Sequence, residues 1–373
     1  MNIIAVTHET FWPVKGGGGS RVFWTIKKML ERGHKVTLYA PCESTDGLMD
    51  ALPGLNFING GTIGRFKSKN KELVYLKFML RLSKFLIYSK AECIYTHIAI
   101  SALPSVLLGK LKGIPVVFDV DDIISGLSSN KFISKFGPHI EFAVARWSKR
   151  VICMSMALKE VMEKHRAGDV IHIPHGVDLS LFKSREPVKE NIIVYCGGIE
   201  PHDGVWLIPE AAERVIKKFP DIIFLIIGEG RGLAEVKKLV GNKKLGRNFS
   251  FTGWVNHENI PEYLNKARIG LITHIRSSAT EIALVVKGLE YMAMGLPVIA
   301  PDLKGMREEI GENERGLLFK PEDSEDLANK IIHLLEDHEL QKEMGKKGRK
   351  FIENNFIWER NAERIVQVCE DIE

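Results

Sequence analysis

Between Arg276 and Pro301 the chain reads RSSATEIALVVKGLEYMAMGLPVIAP, a stretch whose polar residues suit a phosphorylated nucleoside. Lys287 stands three residues before Glu290. On a helix the two project along neighbouring lines, a cation for phosphate oxygens and a carboxylate for ribose hydroxyls. Arg276, Ser277, Ser278 and Thr280 precede them in a segment that reads as a loop. A helix beginning behind such a loop turns its unpaired N–H groups and positive dipole end into it, where a diphosphate is stabilised. A solvated Lys and Glu on an ordinary surface helix would carry the same letters.

Two further groups have chemical potential. His97 follows the apolar run AECIYT, and Asp119, Asp121 and Asp122 follow PVVF. Strand ends of this kind face ligands in open α/β sheets. Three acids within four positions repel one another unless a cation, sugar hydroxyls or a helix N-terminus offsets them. Asp119-Val120-Asp121 spells D-x-D, but we assign no metal there. VKGGGGSR, with Gly16 to Gly19 in a row, reads as a mobile loop whose backbone approaches a ligand closely; a plain flexible turn reads equally well.

The segment KGLEYMAMGLPVIAPDLKGMREEIGENERGLLF resembles the sugar-nucleotide region of the family-4 (group 1) retaining glycosyltransferases, and PHGVD at 174–178 is similar to the segment that ends their first domain. The resemblance implies a GT-B architecture: α/β, with two doubly wound Rossmann-like domains facing across a cleft. It implies transfer of a sugar, with retention of anomeric configuration, from a nucleoside-diphosphate sugar (UDP- or GDP-linked) to a hydroxyl of a glycan or lipid-linked acceptor, with no cofactor required. By resemblance Gly17, Gly18, Gly198, Arg276, Lys287, Gly288, Leu289 and Glu290 bind the donor. His97, Asp121 and Glu281 serve the reacting sugar and acceptor, and Asp119 and Asp122 lie on the acceptor side. The chain departs from the family pattern in three places. Asp121 stands where a histidine is common, Glu281 is one residue early for the first glutamate of E-x7-E, and Ile199 and Asp203 replace an arginine and a lysine that neutralise the diphosphate. Those replacements keep two rivals open, a nucleotide-sugar or glycan-binding protein without turnover and a sugar-nucleotide epimerase.

The elements that must position these residues read as alternating strands and helices. NIIAVT, a helix over Arg21–Arg32 closed by Gly33, and KVTLYA form a βαβ opening that implies a parallel sheet. We expect a first domain over 1–182, a polar linker over 183–191, a donor domain over 192–356, and a last helix, about 357–373, crossing back onto the first domain.

At 373 residues, with 45% hydrophobic and 27% charged, the chain has the composition of a soluble globular protein with room for two cores. A net charge of +5 is too small to imply nucleic acid. It is unevenly spread: Gly64–Lys90 holds eight cations against Glu72 alone, interleaved with Leu73, Leu76, Leu80, Phe85 and Ile87. That is the composition of a helix lying on an anionic membrane surface, as well as of a domain helix with a basic face. With no apolar run long enough to span a bilayer, a cytoplasmic protein peripheral to the inner membrane face is expected. Cys42, Cys93, Cys153, Cys196 and Cys369 lack C-x-x-C spacing and read as small buried hydrophobes.

Overall fold

Short runs of β-branched and aliphatic residues such as IIAV, VVF and IFLII, apolar on consecutive positions, fit strands covered on both faces. The computed structural model of the chain describes residues 1–14, 16–61, 71–123, 131–165, 167–183 and 190–372. Arg65, Lys67 and Lys69 of the basic stretch, Lys15 of the glycine segment and 184–189 of the expected linker lie outside the described residues.

The chain divides into two units, Met1–His175 with Trp358–Glu373, and Gly176–Ile357. The first begins β1 (Asn2–Thr7), α1 (Gly16–Glu31), β2 (Lys35–Ala40), α2 (Leu48–Ala51), β3 (Asn56–Asn59) and α3 (Lys71–Tyr88). It continues β4 (Cys93–His97), α4 (Ala99–Lys112), β5 (Val116–Val120), α5 (Lys131–Trp147), β6 (Arg150–Cys153), α6 (Met156–Lys164) and β7 (Asp169–His172). The second unit begins β8 (Ile192–Cys196), α7 (Leu207–Lys218), β9 (Ile223–Ile227), α8 (Leu233–Asn242), β10 (Phe249–Gly253), α9 (Ile260–Lys266) and β11 (Ile269–Leu271). It ends α10 (Val286–Ala293), β12 (Val298–Pro301), α11 (Lys304–Ile310), β13 (Gly316–Phe319), α12 (Ser324–Glu336) and α13 (His338–Asn355). The last helix, α14 (Trp358–Glu370), belongs to the first unit.

Each unit is built on a parallel sheet, of order β3-β2-β1-β4-β5-β6-β7 and β10-β9-β8-β11-β12-β13 respectively. Register brings functional candidates into line: His97 pairs with both Thr7 and Asp119, so the ends of β1, β4 and β5 form one row. α14 covers α1, burying Ile365, Val366, Val368 and Cys369 in the core of Ile3, Val22, Ile26 and Tyr95.

Two expectations about elements are corrected. Gly16–Gly19 are the first turn of α1 and not a mobile loop; at Gly18 a side chain would collide with Glu9 and His97. Gly176–Phe182, placed by sequence in the first domain, count with the second unit. The Val177 amide donates to Phe356 O at 2.7 Å and Arg349 donates to Phe182 O at 2.8 Å, which ties that stretch to α13 and its end. All five cysteines are free and buried. Among the described residues no helix is long and apolar enough to cross a membrane.

Candidate active site

In the first unit the candidates gather beyond the ends of β4 and β5. Arg21, brought in by α1 and fully buried, grips both oxygens of Asp119 at 2.7 and 2.8 Å, and Tyr95 donates to the same carboxylate at 2.5 Å. Asp119, expected on the acceptor side, is therefore spent inside the protein. Its side chain leaves β5 on the face that α1 covers, and without Arg21 a buried carboxylate there would be strongly destabilising.

Asp121 is the residue that Arg21, His97 and His175 surround, at 3.5, 2.8 and 3.6 Å. Burial would raise its pKa, but the two imidazoles and the guanidinium hold it below the usual carboxylate range. Burial pushes His97 down, but Asp121 outweighs it and keeps the imidazole protonated to higher pH than usual. Burial lowers His175 to about 4. Asp121 and His97 thus form a buried ion pair, while Asp122, half-buried, is held well above its ordinary pKa by burial, Asp121, Glu141 and Glu9. A β-carbon at Gly18 would stand 2.2 Å from Glu9 and 3.0 Å from His97, so Gly18 is in contact with this cluster. Directly after His97 the backbone of Ile98 has φ 66°, a costly value for a β-branched residue of the kind that clusters at functional sites. Asn361 of α14 fixes His175 through its carbonyl at 2.9 Å.

In the second unit α10 carries the donor candidates. Leu289, Tyr291 and Met292 face the core, and the Tyr291 hydroxyl accepts from the Cys196 amide at 2.7 Å, which anchors the helix to the end of β8. Leu289 is wholly buried, so it offers a ligand backbone only. Gly288 has no room for a side chain: a β-carbon would lie 2.0 Å from Glu309 Oε1. Glu309, fully buried on α11, accepts from the Val285 amide at 2.9 Å and so takes one of the donors at the start of α10.

Lys287 Nζ occupies the space that a side chain on Gly197 would fill, 3.0 Å from Tyr195 Oη and 3.4 Å from Asp203 Oδ1. Tyr195 in turn donates to Gly198 O at 2.5 Å. The acid that replaces a family cation at 203 thus neutralises the cation at 287. Glu290, buried, is bound by His257 at 2.6 Å. Burial works against a proton on His257, but Glu290 raises its pKa nonetheless. Arg276 is over half exposed, 3.5 Å from Glu281 and donating to Asp302 O at 2.9 Å. It opens on a polar cavity of about 670 Å³ lined also by Arg307, Lys320 and Glu322. Glu281 accepts from the Lys304 amide at 3.2 Å. Arg276 is thus paired with Glu281, while Lys287 and Glu290 of α10 engage different partners, Asp203 and His257. Sequence reasoning missed Arg21, His175, His257, His274 and Glu309; Arg21, His175 and Glu309 lay in stretches singled out for their pattern, but all five show their roles only through partners far along the chain.

Two doubly wound parallel sheets with polar clusters beyond their strand ends have the architecture in which ligands bind at the carboxyl ends of the strands. Residues 177–351 match the family model of the glycosyl transferases group 1, and residues 15–181 match that of glycosyltransferase family 4. The chain is 22% identical over 96% of its length, and 91% of the relative's, to a phosphatidyl-myo-inositol mannosyltransferase of Mycolicibacterium smegmatis. It is 24% identical, over 80% of each chain, to the UDP-Gal:alpha-D-GlcNAc-diphosphoundecaprenol alpha-1,3-galactosyltransferase of Escherichia coli. Among solved structures, sucrose-phosphate synthase from Thermosynechococcus elongatus superposes with a TM-score of 0.84 at 20% identity, over 100% of this chain and 98% of that one. The chain belongs to the group 1 glycosyltransferases of GT-B fold and is an enzyme of the hexosyltransferase type.

Proposed function

We propose that the protein moves a hexose from a nucleoside-diphosphate sugar to a hydroxyl of a lipid-linked or cell-surface glycan acceptor, with retention of configuration and without a metal or other cofactor. The observation that carries this reading is α10, which presents Lys287 and Glu290 one turn apart, both partly shielded from water and each already engaged by a titratable partner. In this reading Glu290 holds the ribose hydroxyls, Lys287 and Arg276 the phosphates, and Glu281 the sugar hydroxyls, with Gly198, Gly288 and Leu289 offering backbone. On the other unit Gly17 and Gly18 offer backbone to the donor, and His97, Asp121 and Asp122 serve the acceptor side. Charge develops on the departing diphosphate while the sugar becomes oxocarbenium-like, so fixed cations and amides lower the barrier by stabilising the leaving group. The two relatives, one a phosphatidyl-myo-inositol mannosyltransferase and one a galactosyltransferase using UDP-Gal on a diphosphoundecaprenol-linked sugar, support a nucleotide-sugar donor and a lipid-linked acceptor.

The acceptor class agrees with the surface of the first unit. On α3, Phe78, Leu82 and Leu86 are buried, while Leu73, Leu76, Leu80 and Ile87 are exposed beside the exposed Lys77, Arg81 and Lys84. An apolar groove of about 820 Å³, lined by Met79, Leu103, Leu107 and Leu111, lies against α3 and α4. Exposed aliphatic and cationic side chains on one helix suit the cytoplasmic face of an anionic membrane.

Calorimetric titration with UDP- and GDP-sugars tests the donor site. Glu290→Ala is expected to weaken binding at least tenfold, and unchanged affinity would remove Glu290 from the site. A second reading, a binding protein without turnover, is favoured by the Lys287–Asp203 pair. It predicts tight binding with no release of nucleoside diphosphate in the presence of lipid-linked acceptors.

A further inference from the structure

Asp203 is the group in the second unit that the donor reading leaves without a task, and its surroundings suggest one. It ends the short turn Pro201–Asp203, where its Oδ2 accepts from the Glu200 amide at 2.9 Å. Four side chains from separate segments face it: Lys287 of α10 at 3.4 Å, His274 beyond β11 at 3.2 Å, His202 of its own turn at 4.0 Å, and Tyr195 of β8, which Lys287 bridges to it. The other acid of the turn, Glu200, is taken by Arg231 at 2.5 Å. The two imidazoles stand edge to face, 6.4 Å apart. His274 is buried and its Nδ1 has no partner among the described residues.

With both imidazoles neutral this cluster carries one positive and one negative charge and sums to zero. A nucleotide sugar brings two negative charges to Lys287, directly in front of the Asp203 carboxylate, and the turn from Ile199 to Asp203 contains no lysine or arginine to offset them. Histidine is the side chain that acquires a charge near neutrality when an anion approaches. We propose that His202 and His274 act as the missing phosphate cations: binding of a nucleotide sugar draws about one proton from the solvent onto this imidazole pair, with Asp203 as its counter-ion, and leaves Lys287 to the diphosphate. Burial holds the His274 pKa below its ordinary value in the free protein, so the imidazole is neutral before the donor arrives and has a proton to gain. The reading deepens the proposed donor site and rests on it.

The test is calorimetry of the full chain with UDP-glucose and GDP-mannose, whose diphosphate diesters do not titrate between pH 6 and 8. Titrations run in Tris and in HEPES, buffers of unequal ionisation enthalpy. Uptake of between half a proton and one proton is expected, with affinity rising up to about tenfold per unit as pH falls from 8 to 6. Asp203→Asn is expected to abolish the uptake and to tighten binding at pH 8, since Lys287 is then unopposed; His274→Gln or His202→Gln should also lower the uptake. Equal heats in the two buffers with affinity independent of pH, or uptake undiminished in both histidine variants, would overturn the proposal while leaving the donor site in place. No binding of either nucleotide sugar at any pH would overturn both. If Asp203→Asn does not fold, the buffer pair on the unaltered protein decides.

Discussion

Glu309 shows how much one side chain can set. It is fully buried, its Oε2 accepts from the Val285 amide at 2.9 Å, and its Oε1 has no partner among the described residues. Burial raises its pKa from 4.5 to about 8, against the pull of Val285, Arg315 and Lys287. An acid whose folded value is raised binds a proton that the unfolded chain lacks throughout that window. Its contribution to stability is therefore fully present below about pH 4.5 and is lost as pH climbs towards 8, at no more than about 1.4 kcal/mol per unit. Glu309→Gln should flatten urea denaturation midpoints measured between pH 5 and 8; an undiminished slope would place the titrating group elsewhere. Residues of this kind were not legible in the sequence. His97 and Asp121 could be read because a strand's end announces itself by local apolar pattern, and the structure does bring them to 2.8 Å. Arg21 could not, because its carboxylate partner is Asp119, on β5, and nothing in GGGGSRVFW says that this arginine turns inward.

Among the elements, the long periodic ones were readable and the short ones were not. α1 follows from apolar spacing closed by Gly33, although the structure starts it at Gly16. β3 was missed because NFIN is four residues long, polar at both ends and on the sheet's edge; GLLF, the end of the segment that carries the resemblance, is β13, paired along β12. α10 was recognised, yet the residues that fix its start, Glu309 from α11 and Asp203 from the turn after β8, come from elsewhere in the chain. The surface of α3 leads to a prediction at this level. The protein should sediment with vesicles containing phosphatidylglycerol at low salt and be released by roughly 0.5 M salt, because charges near a surface are screened within a few ångströms at that strength. Replacing Lys77, Arg81 and Lys84 by glutamate should abolish sedimentation without changing UDP-sugar affinity, and retention of that variant on vesicles would refute a basic docking face. Leu80→Glu tests the apolar half of the same face.

For the molecule as a whole, two units were legible from two stretches of strand-helix alternation, but the point of division was not. KSREPVKEN is the most polar run near the middle and drew the boundary there; the contacts of Val177 and Phe182 with α13 and the residue after it move the division to His175. α14 gives a sharper prediction. It supplies Ile365, Val366, Val368, Cys369 and Ile372 to the first unit's core, while Arg32 pairs with Glu363 and Glu370. Each such side chain contributes about 1.5 to 3 kcal/mol when buried. A chain ending at Ile357 should lose cooperative unfolding of the first unit and bind a hydrophobic dye, while Gly176–Ile357 retains its own transition; a truncated protein with an unchanged first transition would show the helix to be dispensable.

The return of α14 also orders events on the ribosome. The sheet of the first unit is translated before the second unit, yet a layer of its core, α14, follows the whole of the second unit in the chain. During synthesis α1 therefore stays uncovered by α14 until the second unit has been translated, and the interval of its exposure is set by the length of chain between His175 and Trp358.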